Sequence, residues 1–457
     1  MQRYIVMVVF IVCLLISLAC QPESKTSSER RVVTQTPRAT VRPALVQTDI
    51  PPTALPDKMA TDEALSEETP PSAIRYDISA ELNWTAHTMQ VEQQVTYRNS
   101  YEQRQNEVVF NVEVNQEAGD FTLKHILADK KRVDYSLTGT RLVVDQKVEA
   151  QTTVHLTLSY TLNIPATVDG YRKNHLGYWG YGPRQLNLGM WFPLVAGYDP
   201  YNSWLTPAYY WLGEQSVTPS ADFYVDFSIK NAPDEIHIAG PGKVSKLAEH
   251  TWRFELQHAR DLVLSVSEQY RTLSTRTDSG VTVELFYFPT FETLDTPRYA
   301  LQTAVDALAL YEKLYNPYPY GRMVIVEGDF PDGMEFSGLV FVSEAWFRTW
   351  QGVPNDWLTL ITAHEVAHQW WYCIVGSDQG NSPYLDEALA LYSEVLYLEH
   401  TYPELVEWWW QFRVTMYTPS GYVDSTVYDF YSPAQLYQCG VSAGSVDDPG
   451  TAGTTRR

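Results

Sequence analysis

The sequence predicts a multidomain α+β chain, with an amino-terminal antiparallel β domain followed by a mainly helical domain. Three observations lead there. At 457 residues the chain exceeds one ordinary hydrophobic core. From residue 74 to about residue 270 apolar side chains alternate with period two and no helical period interrupts them. After Pro297 the period becomes helical, with Leu301, Ala304, Val305, Leu308, Tyr311 and Tyr315 on one stripe.

The amino terminus reads first as an address. Residues 1–20 place Arg3 before an apolar run and end in Ser-Leu-Ala-Cys, the layout of an export signal too short for a comfortable membrane span. Cys20 directly after Ala19 resembles the lipidated cysteine of a bacterial lipoprotein; a plain signal peptide and an uncleaved anchor are the alternatives. Residues 21–73 are rich in Ser, Thr and Pro and nearly free of aromatics, so they are expected to form a disordered linker. Its basic half, with Lys25, Arg30, Arg31, Arg38 and Arg42, would lie nearer the membrane than its acidic half. The expected location is extracytoplasmic and membrane-anchored through Cys20.

Composition sets further bounds. A net charge of −22, from 33 basic and 55 acidic residues, argues against nucleic acid as a partner, because phosphate binding needs clustered Lys and Arg. Four cysteines are too few for a disulfide framework. Cys373 and Cys439 could pair after export or stay as buried thiols.

The all-β domain is expected over 74–270. Alternation at Ile78, Ala80, Leu82 and Trp84, then Val91, Val95 and Tyr97, then Val154, Leu156, Leu158 and Tyr160 marks half-buried strands. Further strands are expected at 223–229, 251–256 and 262–266. Residues 177–211 are loop-heavy, and their Trp191, Trp204 and Trp211 read as packing residues.

The second domain is expected over 271–445. It opens with a strand at 281–288 and the helix after Pro297, which Pro317 and Pro319 end. Strands follow at 323–326 and 339–342, on either side of Asp332-Gly-Met-Glu-Phe-Ser-Gly338. Asn355 or Asp356 can cap the next helix.

That helix carries His-Glu-Val-Ala-His, residues 364–368. Positions four apart share a helix face, so His364 and His368 can reach one metal ion. Eighteen residues separate His368 from Glu387. About two more turns of the first helix, a reversing loop and a second helix at 385–399 would bring Glu387 back to complete a His₂Glu zinc site. Glu365 would then act as general base on water. Glu394, seven residues beyond Glu387, would orient a ligand or form a surface ion pair.

Together, His-Glu-Val-Ala-His and Tyr-Leu-Asp-Glu-Ala-Leu-Ala, residues 384–390, resemble the gluzincin signature of the aminopeptidase N family, whose second motif usually reads W-L-N-E-G-F-A. Gly-Met-Glu-Phe-Ser-Gly, residues 333–338, is similar to the family's G-A-M-E-N motif. The resemblance spans about 74–445. It implies a thermolysin-like catalytic domain, one Zn²⁺ on His364, His368 and Glu387, and peptide substrates. By the same resemblance Glu335 binds the substrate's free α-amino group, and the backbone of Gly333 and Met334 lines the peptide. Phe336 stands where the family has Asn. Tyr437, in Tyr-Gln-Cys-Gly, matches the tyrosine that stabilises the oxyanion, with Cys439 where Lys is usual; Tyr428 and Tyr431 are weaker matches.

The carboxyl end departs from that pattern. Residues 446–457 lack any apolar period and read as a disordered tail, so the catalytic domain is expected to be incomplete and its helices after residue 384 to expose apolar surface. The expected function is zinc-dependent removal of amino-terminal residues from peptides. The alternatives are a zinc peptidase without strict amino-terminal preference and an inert surface scaffold.

Overall fold

The computed structural model describes residues 72–416, apart from 118, 168–176, 202, 208–215, 291–294 and 383. Cys20, the linker up to residue 71, Trp211, Tyr428, Tyr431, Tyr437, Cys439 and the tail lie outside the described residues. The described residues fall in one compact unit. None of their helices is long and apolar enough to cross a membrane.

Alternation builds the first layer. In Ile74–Asn83 the side chains of Ile74, Tyr76, Ile78, Ala80 and Leu82 are buried while their neighbours face outward. Each such apolar side chain contributes roughly 1.5–3 kcal/mol by leaving water. The eight-stranded sheet runs Lys243–Ala248, Thr251–Ala259, Ala221–Lys230, Ile74–Asn83, Thr88–Arg98, Thr153–Asn163, Phe121–Ala128, Lys131–Arg132. One expectation is corrected here. The sheet is not wholly antiparallel, because Ile74–Asn83 pairs parallel with Ala221–Lys230. The long connection from Asn163 carries the chain back to the same end, as a parallel pair demands. Trp191 and Trp204 are buried, as packing residues should be. Tyr76 ties this sheet to the next layer, its hydroxyl accepting from Val195 N at 2.8 Å.

After residue 270 a five-stranded sheet runs Arg271–Arg276, Thr282–Tyr287, Arg322–Gly328, Leu339–Ser343, Gly333–Phe336. Five α-helices accompany it among the described residues: α1 (Asp295–Leu314), α2 (Glu344–Thr349), α3 (Trp357–Ala367), α4 (Tyr384–Thr401) and α5 (Val406–Met416). The predicted stripe of α1 is buried at Leu301, Ala304, Leu308 and Tyr311. Tyr311 joins three helices, its hydroxyl lying 3.2 Å from Ala363 O and 3.0 Å from Ser393 O. Among the described side chains after residue 384, Leu385, Leu389 and Tyr392 of α4 and Trp410 of α5 are exposed.

The first metal helix is shorter than the sequence suggests. Instead of two further turns, α3 ends at Ala367 with His368 as its C-cap. Trp370 turns inward against Tyr311 and Tyr315, and its Nε1 donates to Asn316 O at 2.9 Å. Cys373 N and Val375 N then bond back to His368 O and Trp370 O, which closes a turn in place of more helix. Cys373 is a buried thiol.

Candidate metal centre

Asp356 starts the metal helix by accepting from Leu358 N at 3.0 Å, which satisfies one of its free amide donors. About two turns later on the same helix His364 and His368 face each other, with Nε2 atoms 3.0 Å apart. Glu387, from the first turn of α4, brings Oε2 to 3.4 Å from His364 Nε2. All three ligand atoms lie within 4.8 Å of one another. Bonds of about 2.0 Å in a tetrahedral zinc site require ligand separations of roughly 3.3 Å, so this set fits the ion.

The tautomers also fit. His368 Nδ1 lies 2.9 Å from Trp371 O, and a carbonyl can only accept, so that nitrogen carries the proton. His364 Nδ1 lies 2.9 Å from Glu394 Oε1, and the same reasoning holds. In the neutral form of each ring Nε2 then keeps its lone pair for the shared point. The short end of α3 matters here, since only a turn places Trp371 O within reach of His368.

Electrostatics favour a cation between these groups. Burial opposes ionisation of Glu387, yet the hydrogen bond and charge of His364 outweigh it and hold the carboxyl below its ordinary range. The side chain is still 49% exposed, so the site opens to solvent on that side. Burial likewise opposes the charged form of His364, but Glu387 and Glu394 raise its affinity for a proton. His368 is pushed down to about 4 by burial and by the His364 charge.

Glu394, fully buried, is not a surface ion pair. Besides His364 it accepts from Trp409 Nε1 at 2.8 Å and from Arg413 Nε at 3.1 Å, with Arg413 Nη2 on its other oxygen. Burial alone would raise its pKa; the contacts with His364 and Arg413 lower it below the ordinary value. Asp386 fixes the start of α4 by accepting from Glu387 N at 2.9 Å.

The Gly333–Phe336 strand lies at the edge of its sheet and packs against α3. Alternation along it sets Gly333 and Glu335 on one face and Met334 and Phe336 on the other. The first face meets the metal helix. A β-carbon on Gly333 would fall 2.1 Å from Glu365 Oε1, and Glu335 Oε1 lies 3.8 Å from His368 Nδ1. Glu335 and Glu365 are 3% and 4% exposed. On the second face Phe336 packs edge-on to Tyr178 and Phe341. The Asn-to-Phe departure therefore faces away from Glu335.

Residues that sequence reasoning missed hold this strand. Gln369 accepts from Gly338 N at 2.9 Å and donates to Phe336 O at 3.0 Å. Asp261 accepts from Ser337 N at 2.9 Å and from the Tyr372 hydroxyl. Gly338, at φ +75°, supplies the left-handed turn that closes the hairpin. Only Gln369, directly after His368, stood near a motif; Asp261, Trp409 and Arg413 carried no local signal. Of the residues the sequence singled out, the structure gathers His364, His368, Glu387, Glu365, Glu335, Gly333 and Glu394 in one place, while Tyr437 lies outside the described residues.

Residues 299–431 match the Peptidase family M1 domain. The chain is 32% identical to human endoplasmic reticulum aminopeptidase 2 over 198 residues, 40% of this chain and 20% of that protein. It is 29% identical to aminopeptidase N of Lactobacillus delbrueckii subsp. lactis over 167 residues, 35% of this chain and 20% of that protein. The alignments thus span about a fifth of these relatives' length. In fold, the chain is similar to a two-domain M1 zinc metallopeptidase crystallised with L-arginine, at a TM-score of 0.50 and 14% identity, over 75% of this chain and 76% of that one. An M1 zinc metallopeptidase from Deinococcus radiodurans gives the same TM-score and identity over 75% of both chains.

Proposed function

We propose, from the match of residues 299–431 to the Peptidase family M1 domain, that the chain is a zinc-dependent aminopeptidase that removes amino-terminal residues from peptides. One observation carries the reading. The ligand atoms of His364, His368 and Glu387, all within 4.8 Å of one another, sit against the strand face that bears Glu335.

His364 and His368 would hold the ion through Nε2, and Glu387 through its carboxylate. When bound, zinc supplies a Lewis acid that polarises the scissile carbonyl and makes water more acidic. Glu365 takes the proton from the attacking water and delivers it to the leaving amine. Glu335 receives the substrate's ammonium group, which selects the free amino end of a chain. The backbone of Gly333 and Met334 lies along the peptide, and Tyr437 donates to the developing oxyanion. Because Phe336 faces away from Glu335, its departure from the family pattern leaves the amine subsite unaltered.

The proposal includes the domain plan read from the sequence: a β domain over 74–270 and a thermolysin-like, mainly helical catalytic domain over 271–445. It also includes export and anchoring by a lipid on Cys20, which Cys20→Ala would release from the membrane fraction.

The test is metal dependence. The purified chain should hydrolyse an aminoacyl amide, lose that activity to a chelator and regain it with Zn²⁺. Activity that survives complete removal of metal would refute the proposal.

A further inference from the structure

We infer, resting on the zinc-site reading above, that Trp409 and Arg413 of α5 are positioning residues that set the metal affinity of His364 by fixing Glu394. Neither lies next to the proposed ligands in sequence, and both act through contacts on the far side of the site.

Glu394 is fully buried between α4 and α5. A carboxylate there held by His364 alone could turn about its terminal bond and lose its aim at the ring. The α5 helix prevents this. Trp409 Nε1 and Arg413 Nε both donate to Oε2, at 2.8 and 3.1 Å, while Arg413 Nη2 meets Oε1 beside His364 Nδ1. Both carboxylate oxygens are thereby engaged, and the group cannot rotate away from His364.

Arg413 is itself held in place. Its guanidinium carbon stands 5.0 Å from the centroid of Trp357, the first residue of the metal helix. One buried cation therefore connects α5, the carboxylate on α4 and the start of α3. The arrangement locks His364 into the tautomer whose Nε2 is free for a metal, and it aims the ring toward His368. Outer partners of this kind typically alter metal affinity about 10–100-fold when removed.

The experiment compares the zinc dissociation constants, by chelator competition, of the full-length protein and of Arg413→Met, Arg413→Lys and Trp409→Phe. Weakening by about 10–100-fold in Arg413→Met is expected, with smaller losses in Trp409→Phe and partial rescue by Arg413→Lys. Trp409→Phe keeps an aromatic ring at the site while removing the indole N–H, so it carries the test if Arg413→Met fails to fold. Folded variants with the parent's zinc affinity would overturn the inference. Should the parent bind no zinc, the proposed function fails first. The positioning role is then read in the metal-free chain from the exchange protection of the His364 Nδ1–H by nitrogen-15 NMR. Loss of that protection in Trp409→Phe and Arg413→Lys supports the role, and its retention in both overturns it.

Discussion

Gly333 presses its backbone against the carboxylate of Glu365, so closely that a β-carbon at 333 would fall 2.1 Å from Glu365 Oε1. The neighbour at risk is the proposed general base. Gly333→Ala should therefore displace Glu365 while leaving His364, His368 and Glu387 in place. Displacements of about 1 Å can cost about 100-fold in rate, and a loss of that order in kcat is expected with zinc content unchanged. Steady-state kinetics beside metal analysis check it; full activity in Gly333→Ala would show that Glu365 has room to spare.

Glu365→Gln keeps the size of the side chain and removes its ability to take a proton. A positioned general base typically contributes about 10²–10⁴-fold, so kcat should fall by that order while one zinc per chain is retained. Residual activity near the parent's would assign the proton transfer to another group.

Glu335, 3% exposed and facing the metal helix, is the group proposed to receive the substrate's ammonium. Glu335→Ala should raise KM for free-amine substrates and narrow the gap between free and amine-blocked ones. An unchanged preference would place the amine subsite elsewhere.

A separate prediction concerns stability. Glu327 is fully buried on the Arg322–Gly328 strand, and burial raises its carboxyl from 4.5 to about 8. Between those two values the folded chain keeps a proton that the unfolded chain has lost. Folding stability from this group is therefore complete below about pH 4.5, declines as the pH rises toward 8, and levels off above it. Glu327→Gln, whose amide oxygen can still accept from Phe288 N, should remove that slope and melt higher than the parent at pH 8. Parallel melting curves for both proteins across this range would contradict the assignment.

Much of the site was legible because its chemistry is local. His364 and His368 announce themselves by helical spacing, and Glu387 by its place at the start of the next helix. The alternation after Ile74 likewise gave the strands, since half-buried strands repeat every second residue. What stayed hidden depends on contacts distant in the chain. The parallel pairing of Ile74–Asn83 with Ala221–Lys230 is a matter of topology, which alternation does not encode. The early end of α3 arises from Trp370 packing on α1, and no helix-stop residue marks it. Asp261, Trp409 and Arg413 reach the site across 76, 15 and 19 residues of chain, and none of those intervals belongs to a short motif.

The most direct test of the account is the ratio of kcat/KM for a free-amine aminoacyl amide to that for its N-acetylated form, measured on the zinc-loaded chain. A buried carboxylate built to receive an ammonium should favour the free amine by at least about 100-fold. Equal cleavage of the two substrates would contradict the assignment of Glu335 and, with it, the aminopeptidase reading.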